Sequence, residues 1–233
     1  MTKRYAADPR LYAALDLPSL KAAREMVAAL GDNIVSYKIG LQLLPLGGTE
    51  LGAELRAQGK NVFYDFKFHD IDATVEKAAR SVAGLGGDIL TVHARPDVMR
   101  AAVKGRADSS LKVIGVTVLT SLDKQALEDI GYSHNAEELV MRRVHQAVEA
   151  GMDGVVSSPL EASAIRKVVP KDFLIVTPGV RLPGGDAGDQ KRIATPFDAL
   201  ANGANHLVVG RPITAAQDPA AAAQAVLANI NGH

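Results

Sequence analysis

Short apolar runs alternate with longer segments of helical periodicity about eight times along the chain, and this alternation restricts the fold more than any other feature. The runs are Leu11–Asp16, Ile34–Gly40, Asn61–Phe66, Asp88–His93, Leu111–Leu119, Gly154–Ser157, Phe173–Thr177 and Asn205–Gly210. Each is too short for a helix and rich in Val, Ile, Leu or aromatic residues, as a strand buried on both faces requires. Helical spacing follows in Pro18–Leu30, Gly47–Gln58, Thr74 to about Ala83, Asp97–Arg106 and Ala136–Ala150. It returns in a segment opened by Pro159, in Pro196–Asn202, and in Pro219–Asn229 within the Ala-rich stretch Ala215–Ala228. Two segments break the rhythm, an insert at Leu122–Asn135 and a Gly-rich loop at Pro178–Asp189. Parallel strands need a crossover between them, so eight strand–helix units predict a (β/α)8 TIM barrel. An open doubly wound sheet is the alternative, but no Gly-x-Gly-x-x-Gly turn follows the first strand.

At 233 residues, 47% hydrophobic, the chain suits one barrel domain spanning 1–233. Lys plus Arg and Asp plus Glu both number 26, so net charge points neither to nucleic acid nor to an anionic membrane. The absence of cysteine excludes disulfides, thiolate catalysis and zinc–thiolate sites. No apolar run approaches transmembrane length and Met1–Leu11 has no signal-peptide pattern, so a soluble cytoplasmic protein is expected.

The third strand ends abruptly in charge. Asp65, Lys67, His69, Asp70 and Asp72 fall within eight residues, directly after Val62, Phe63 and Tyr64. Asp65 and Lys67 are two apart and therefore share a side of an extended segment. Other carboxyl ends of strands carry Asp16, Lys38, Thr120, Arg181, Gln190 and Arg211. Barrels place their chemistry at that end. Buried charges are tolerable only when paired, and an alternating row of lysines and carboxylates meets that condition without a metal. Near the end of the chain, Gly179, Gly184, Gly185 and Gly188 leave backbone open to a ligand, and Gly210-Arg211-Pro212 adds a guanidinium after the eighth strand. An anion site after strands seven and eight fits this pattern.

The spacing Asp65-x-Lys67-x-x-Asp70-Ile71-x-x-Thr74 resembles the signature of the orotidine 5′-monophosphate decarboxylase family. So do Leu15-Asp16, Tyr37-Lys38-Ile39-Gly40, Val118-Leu119-Thr120-Ser121, Thr177-Pro178-Gly179-Val180-Arg181, Gly188-Asp189-Gln190-Lys191-Arg192 and Val209-Gly210-Arg211-Pro212-Ile213-Thr214, in the same order. The resemblance implies a cofactor-free, metal-free decarboxylase of a pyrimidine nucleotide, acting as a homodimer. It makes Lys67 the proton donor, flanked by Asp65 and by Asp70 from the partner, with Lys38 in the same charge chain. It gives Asp16 and the partner's Thr74 to the ribose, and Thr120 with Ser121 to the pyrimidine. Arg181, Gln190, Gly210 and Arg211 fall at the phosphate. Asp72 and Ala73 depart from the Pro and Asn common in bacterial members.

Two other readings stay open on the residues alone. A related barrel enzyme working through a metal-bound enediolate shares the Asp-x-Lys-x-x-Asp core, and a phosphate-ligand sensor would need no turnover. The Gly-rich loop with Arg181 and Gln190, and Thr120-Ser121, favour the nucleotide enzyme. His69 and His93 are read as rim residues, because Lys67 would repel a divalent cation from the centre.

Overall fold

A computed structural model describes residues 4–184 and 194–233. Gln190, Gly185 and Gly188 lie outside the described residues. Eight parallel strands close into a barrel: β1 (Leu11–Ala14), β2 (Ser36–Gly40), β3 (Asn61–Phe68), β4 (Ile89–His93), β5 (Lys112–Val116), β6 (Gly154–Val156), β7 (Leu174–Pro178) and β8 (His206–Val209). Each pairs with the next, and β8 returns to β1 through Leu11–Leu207 and Ala13–Val209 registers. Between the strands run α1 (Leu20–Leu30), α2 (Gly48–Ala57), α3 (Asp72–Gly84), α4 (Pro96–Arg106), α5 (Lys124–Asp129), α6 (Ala136–Glu149), α7 (Ala162–Arg166), α8 (Pro196–Ala201), α9 (Arg211–Thr214) and α10 (Pro219–Ile230). The fold is a (β/α)8 TIM barrel, as the alternation predicts.

Local chemistry sets the helix ends. Ser19 caps α1 by accepting from Ala22 N at 3.1 Å. Asn135 and Glu138 form a reciprocal capping box at α6. Asp218 caps α10, which starts at Pro219 as the sequence predicts, leaving Ala215–Asp218 of the Ala-rich stretch outside it. The Leu122–Asn135 insert is not bare loop, since Asp123 accepts from Ala126 N and starts α5. After Pro159 the chain makes a turn first, with the Glu161 carboxylate accepting from Ser158 N, and α7 begins only at Ala162.

Strand alternation divides the core. Tyr12, Ala14, Phe63, Ile89, Ile114, Val176 and Val208 fill the barrel interior, while the alternate strand residues pack against the helices in a larger cluster. Following the interior side upward from Ala14, Phe63 and Ile89 leads to Asp16, Asp65 and Thr91. The hydrophobic plug therefore forms a floor, and the polar residues one step further along each strand stand on it. Among the described residues no helix is long and apolar enough to cross a membrane.

Candidate active site

At the carboxyl end of the strands a cavity of about 420 Å³ opens above this floor. That volume suits a small organic ligand. Its base is apolar, formed by Ala14, Phe63, Val116, Val156, Val176 and Val208. Its walls bring together Asp16, Lys38, Asp65, Lys67, Thr120, Ser121, Arg181, Gly210 and Arg211. Thus most of the residues singled out in the sequence, taken from six different strand ends, converge on one space.

The charged residues form a continuous chain. Lys38 Nζ lies 3.1 Å from each Asp16 oxygen and 3.2 Å from Asp65 Oδ2. Lys67 Nζ meets the same Asp65 Oδ2 at 2.7 Å. The Lys38 and Asp65 side chains are 8% and 12% exposed, so the central pair is desolvated, whereas Asp16 at 49% faces the opening. Burial alone would push the Lys38 ammonium down, but the charges of Asp65 and Asp16 and hydrogen bonds to both hold it above the ordinary lysine range. Burial would likewise raise the Asp65 carboxyl. The charges of Lys38 and Lys67, with hydrogen bonds from Lys67 and Thr91, overcome that and keep it below the ordinary carboxylate range. Each buried charge thus stays ionised because its neighbours are of opposite sign.

Backbone irregularity aims Lys67. The β3–β4 register runs Phe63–Ile89, Tyr64–Leu90 and then Phe68–Val92. Asp65, Phe66 and Lys67 consequently stand opposite Thr91 alone, an extended bulge of the kind found beside active sites. Lys67 adopts φ +48°, a left-handed conformation uncommon outside glycine. The same bulge carries the strand on to Phe68, two residues beyond the end expected from the apolar run.

Asp70 and Thr74 do not join this cavity. Both are exposed, past the end of β3. The Asp70 carboxylate accepts from Ile71 N at 2.7 Å, and its carbonyl accepts from Arg95 Nη2 at 3.2 Å. Arg95 is held in turn by Asp97 through two bonds of 2.7 and 2.8 Å. Thr74 lies in the first turn of α3, next to Ile71, a residue 65% exposed.

On the wall formed after β7 and β8, Arg181 is buried and its Nη1 donates to Val180 O at 2.9 Å. Gly210 precedes the one-turn helix α9, where Ile213 N and Thr214 N donate to its carbonyl. His69 and His93 sit apart from this cavity, their rings 5.1 Å from each other, lining a neighbouring hollow with Arg95 and Arg143. Burial, reinforced by His69, Arg143 and Lys67, lowers the His93 value. Among the described residues no three His, Asp or Glu side chains converge as a metal-ligand set.

One residue of the site, Thr91, escaped the sequence reading, and Gly40 entered it only as part of the Tyr37–Gly40 motif, with no role. Thr91 is fully buried and donates to Asp65 Oδ1 at 2.9 Å while accepting from Lys67 N at 3.0 Å. Gly40 lies so close to Asp16 and Lys38 that a Cβ there would run into the Asp16 carboxylate. Thr91 left a faint signal, as a hydroxyl within Ile89–His93 on the interior side. The motif marked Gly40 without its reason, because only the packing of β1 beside β2 crowds it.

A model of the family described as Orotidine 5'-phosphate decarboxylase / HUMPS family matches residues 9–226. The orotidine 5'-phosphate decarboxylase of Caulobacter sp. (strain K31) is 55% identical over 227 residues, 97% of this chain and 99% of its own. That of Methylobacterium radiotolerans is 51% identical over 226 residues, covering 96% and 98%. The crystal structure of orotidine 5'-phosphate decarboxylase from Lactobacillus acidophilus superposes with a TM-score of 0.83 at 35% identity, over 96% of this chain and 100% of that one. With the charge chain in place at the mouth of the barrel and this similarity running nearly end to end, the chain belongs to the orotidine 5'-phosphate decarboxylase / HUMPS family.

Proposed function

We propose that this protein decarboxylates orotidine 5′-monophosphate to UMP without a cofactor, as a carbon–carbon lyase of pyrimidine synthesis built on one barrel domain. The observation that carries the reading is the row Asp16–Lys38–Asp65–Lys67, closed by ion pairs of 2.7 to 3.2 Å at the rim of an apolar pocket. Loss of CO2 breaks the bond to ring carbon 6 and leaves its electron pair on that carbon. The Lys67 ammonium stabilises the developing negative charge and then delivers its proton there. Asp65 holds that ammonium in place through their ion pair. It also sets a negative charge near the departing carboxylate, a repulsion relieved as CO2 leaves. Lys38 holds Asp65 against its own desolvation.

The remaining roles are those that the family resemblance implies. Asp16, half exposed at the opening, accepts from ribose hydroxyls, joined by Thr74 of the partner subunit. Thr120 and Ser121 meet the pyrimidine. Arg181, Gly210 and Arg211, together with Gln190, take the phosphate, where guanidinium forks and open backbone suit a dianion. These contacts are remote from the breaking bond and supply binding energy that is realised in the transition state. Asp70 of the partner subunit completes the surroundings of Lys67, so the active unit is a homodimer.

The test is direct. Purified protein is incubated with orotidine 5′-monophosphate in excess chelator while the pyrimidine absorbance is followed. Turnover under chelation is expected. Activity that returns only on adding magnesium would replace this reading with the metal-bound enediolate chemistry.

A further inference from the structure

We infer that Thr91 is a positioning residue, whose hydroxyl aims Lys67 at the reacting carbon and locks the Asp65 carboxylate that holds its ammonium. The inference rests on the reading of Lys67 as the proton donor.

The bulge in β3 creates the need. Where the ladder is regular, a strand residue's N–H finds a carbonyl on the neighbouring strand. Here pairing jumps from Tyr64–Leu90 to Phe68–Val92, so the residues between have no regular main-chain register with β4. The Lys67 N–H is satisfied instead by a side chain, Thr91 Oγ1 at 3.0 Å. Lys67 sits at φ +48°, which a side chain disfavours and which persists only where surrounding contacts enforce it. The Thr91 bond is such a contact, made at the strained residue's own amide.

That hydroxyl does a second thing at once. Its proton goes to Asp65 Oδ1 at 2.9 Å, while the other carboxylate oxygen, Oδ2, receives Lys67 Nζ at 2.7 Å and Lys38 Nζ at 3.2 Å. One carboxylate is therefore fixed at both oxygens, and its plane cannot rotate without breaking a bond. Lys67 is gripped at two points, its backbone amide by the Thr91 hydroxyl and its ammonium by the Asp65 carboxylate that the same hydroxyl anchors. At 0% exposure Thr91 has no route to solvent, and water does not compete for either bond. Thr91 itself does not line the cavity, so it touches no substrate.

A hydroxyl that both accepts and donates at this spacing is not replaced by a methyl. Thr91→Val keeps shape and volume, removes both bonds and lets the Lys67 ammonium drift. A misplacement of about 1 Å costs roughly 10²-fold in rate. The expected result for Thr91→Val is a kcat about 10²-fold lower with KM for orotidine 5′-monophosphate within about threefold, since the ribose and phosphate contacts are untouched. Thr91→Ser restores the hydroxyl and is expected to bring kcat back to within about threefold of the parent. A purely structural Thr91 would show no such division. It would lower thermal stability in both variants and affect kcat and KM together, or neither. A folded Thr91→Val protein with parental kcat overturns the inference, as does a folded Thr91→Ser protein as slow as the Val variant. If Thr91→Val fails to fold, Thr91→Cys takes its place. Its thiol fills the same space but is a weak donor and acceptor, and kcat within about threefold of the parent would overturn the inference equally. Parent protein inactive on orotidine 5′-monophosphate defeats the proposed function itself. Active parent with an indifferent Thr91→Val defeats only the role of Thr91.

Discussion

The proposal that two subunits share each active site makes a quantitative prediction. Among the described residues of its own chain, Asp65 is the one carboxylate paired with Lys67, while the Asp70 carboxylate is turned onto Ile71 N and is exposed to solvent. If Asp70 serves the neighbouring barrel, Lys67→Ala and Asp70→Ala damage opposite sites of a mixed dimer. Lys67→Ala removes the proton donor, a loss of roughly 10²–10⁴-fold from proton transfer alone. Removing a carboxylate about 4 Å from an ammonium sacrifices on the order of 4 kcal/mol at an effective dielectric of about 20, close to 10³-fold in rate. Each homodimer is then nearly silent. Equal amounts mixed and allowed to exchange give about half mixed dimers, each with one doubly damaged site and one intact. Activity should recover to about a quarter of that of the same mass of parent protein. Native mass spectrometry reports the exchange and the absorbance assay reports turnover. Complete exchange with no recovery would refute the shared site and return Asp70 to its own chain, and an Asp70→Ala protein of parental activity would refute it more simply.

Other expectations follow from the same geometry. Arg211→Ala should weaken UMP by about 1.5–3 kcal/mol while leaving uridine binding nearly unchanged, measured by calorimetry; equal losses would move the phosphate elsewhere. Asp65, held below the ordinary carboxylate range, contributes stability above that range and loses it as pH falls through its own lower value. Lys38, held above the ordinary lysine range, contributes below that range and loses its share as pH rises through its higher value. Denaturation midpoints should therefore be flat between about pH 5 and pH 9 as far as this pair is concerned, and Asp65→Asn should flatten the acid limb. Gly40→Ala should cost about 1–3 kcal/mol and lower kcat/KM, because the added methyl displaces the Asp16 carboxylate; a silent substitution would contradict the crowding seen at Lys38 Nζ, 3.0 Å from that methyl position.

The sequence by itself determined the barrel and the cast of its mouth. Alternation of apolar runs with helical spacing reports which residues are buried on both faces, and that repeated eight times leaves few topologies. The position of Asp16, Lys38, Asp65 and Lys67 at the ends of such runs was equally legible, because an uncompensated charge at a buried strand end is costly and implies partners. A helix boundary drifted where a turn rather than periodicity decided it, as before Ala162. What the tertiary structure alone decided is pairing. Thr91 meets Asp65 across 26 residues of sequence, and Lys38 meets Asp16 across 22. Such contacts depend on register between strands, which no local pattern encodes. The bulge that sets three residues of β3 against one of β4, the left-handed backbone at Lys67 and the crowding at Gly40 are all consequences of that register. Asp70 and Thr74, which the resemblance gives to the partner's site, lie outside their own chain's cavity because the turn from β3 into α3 carries them outward. Periodicity tells a residue which side it faces, and only the closed barrel tells it what it faces.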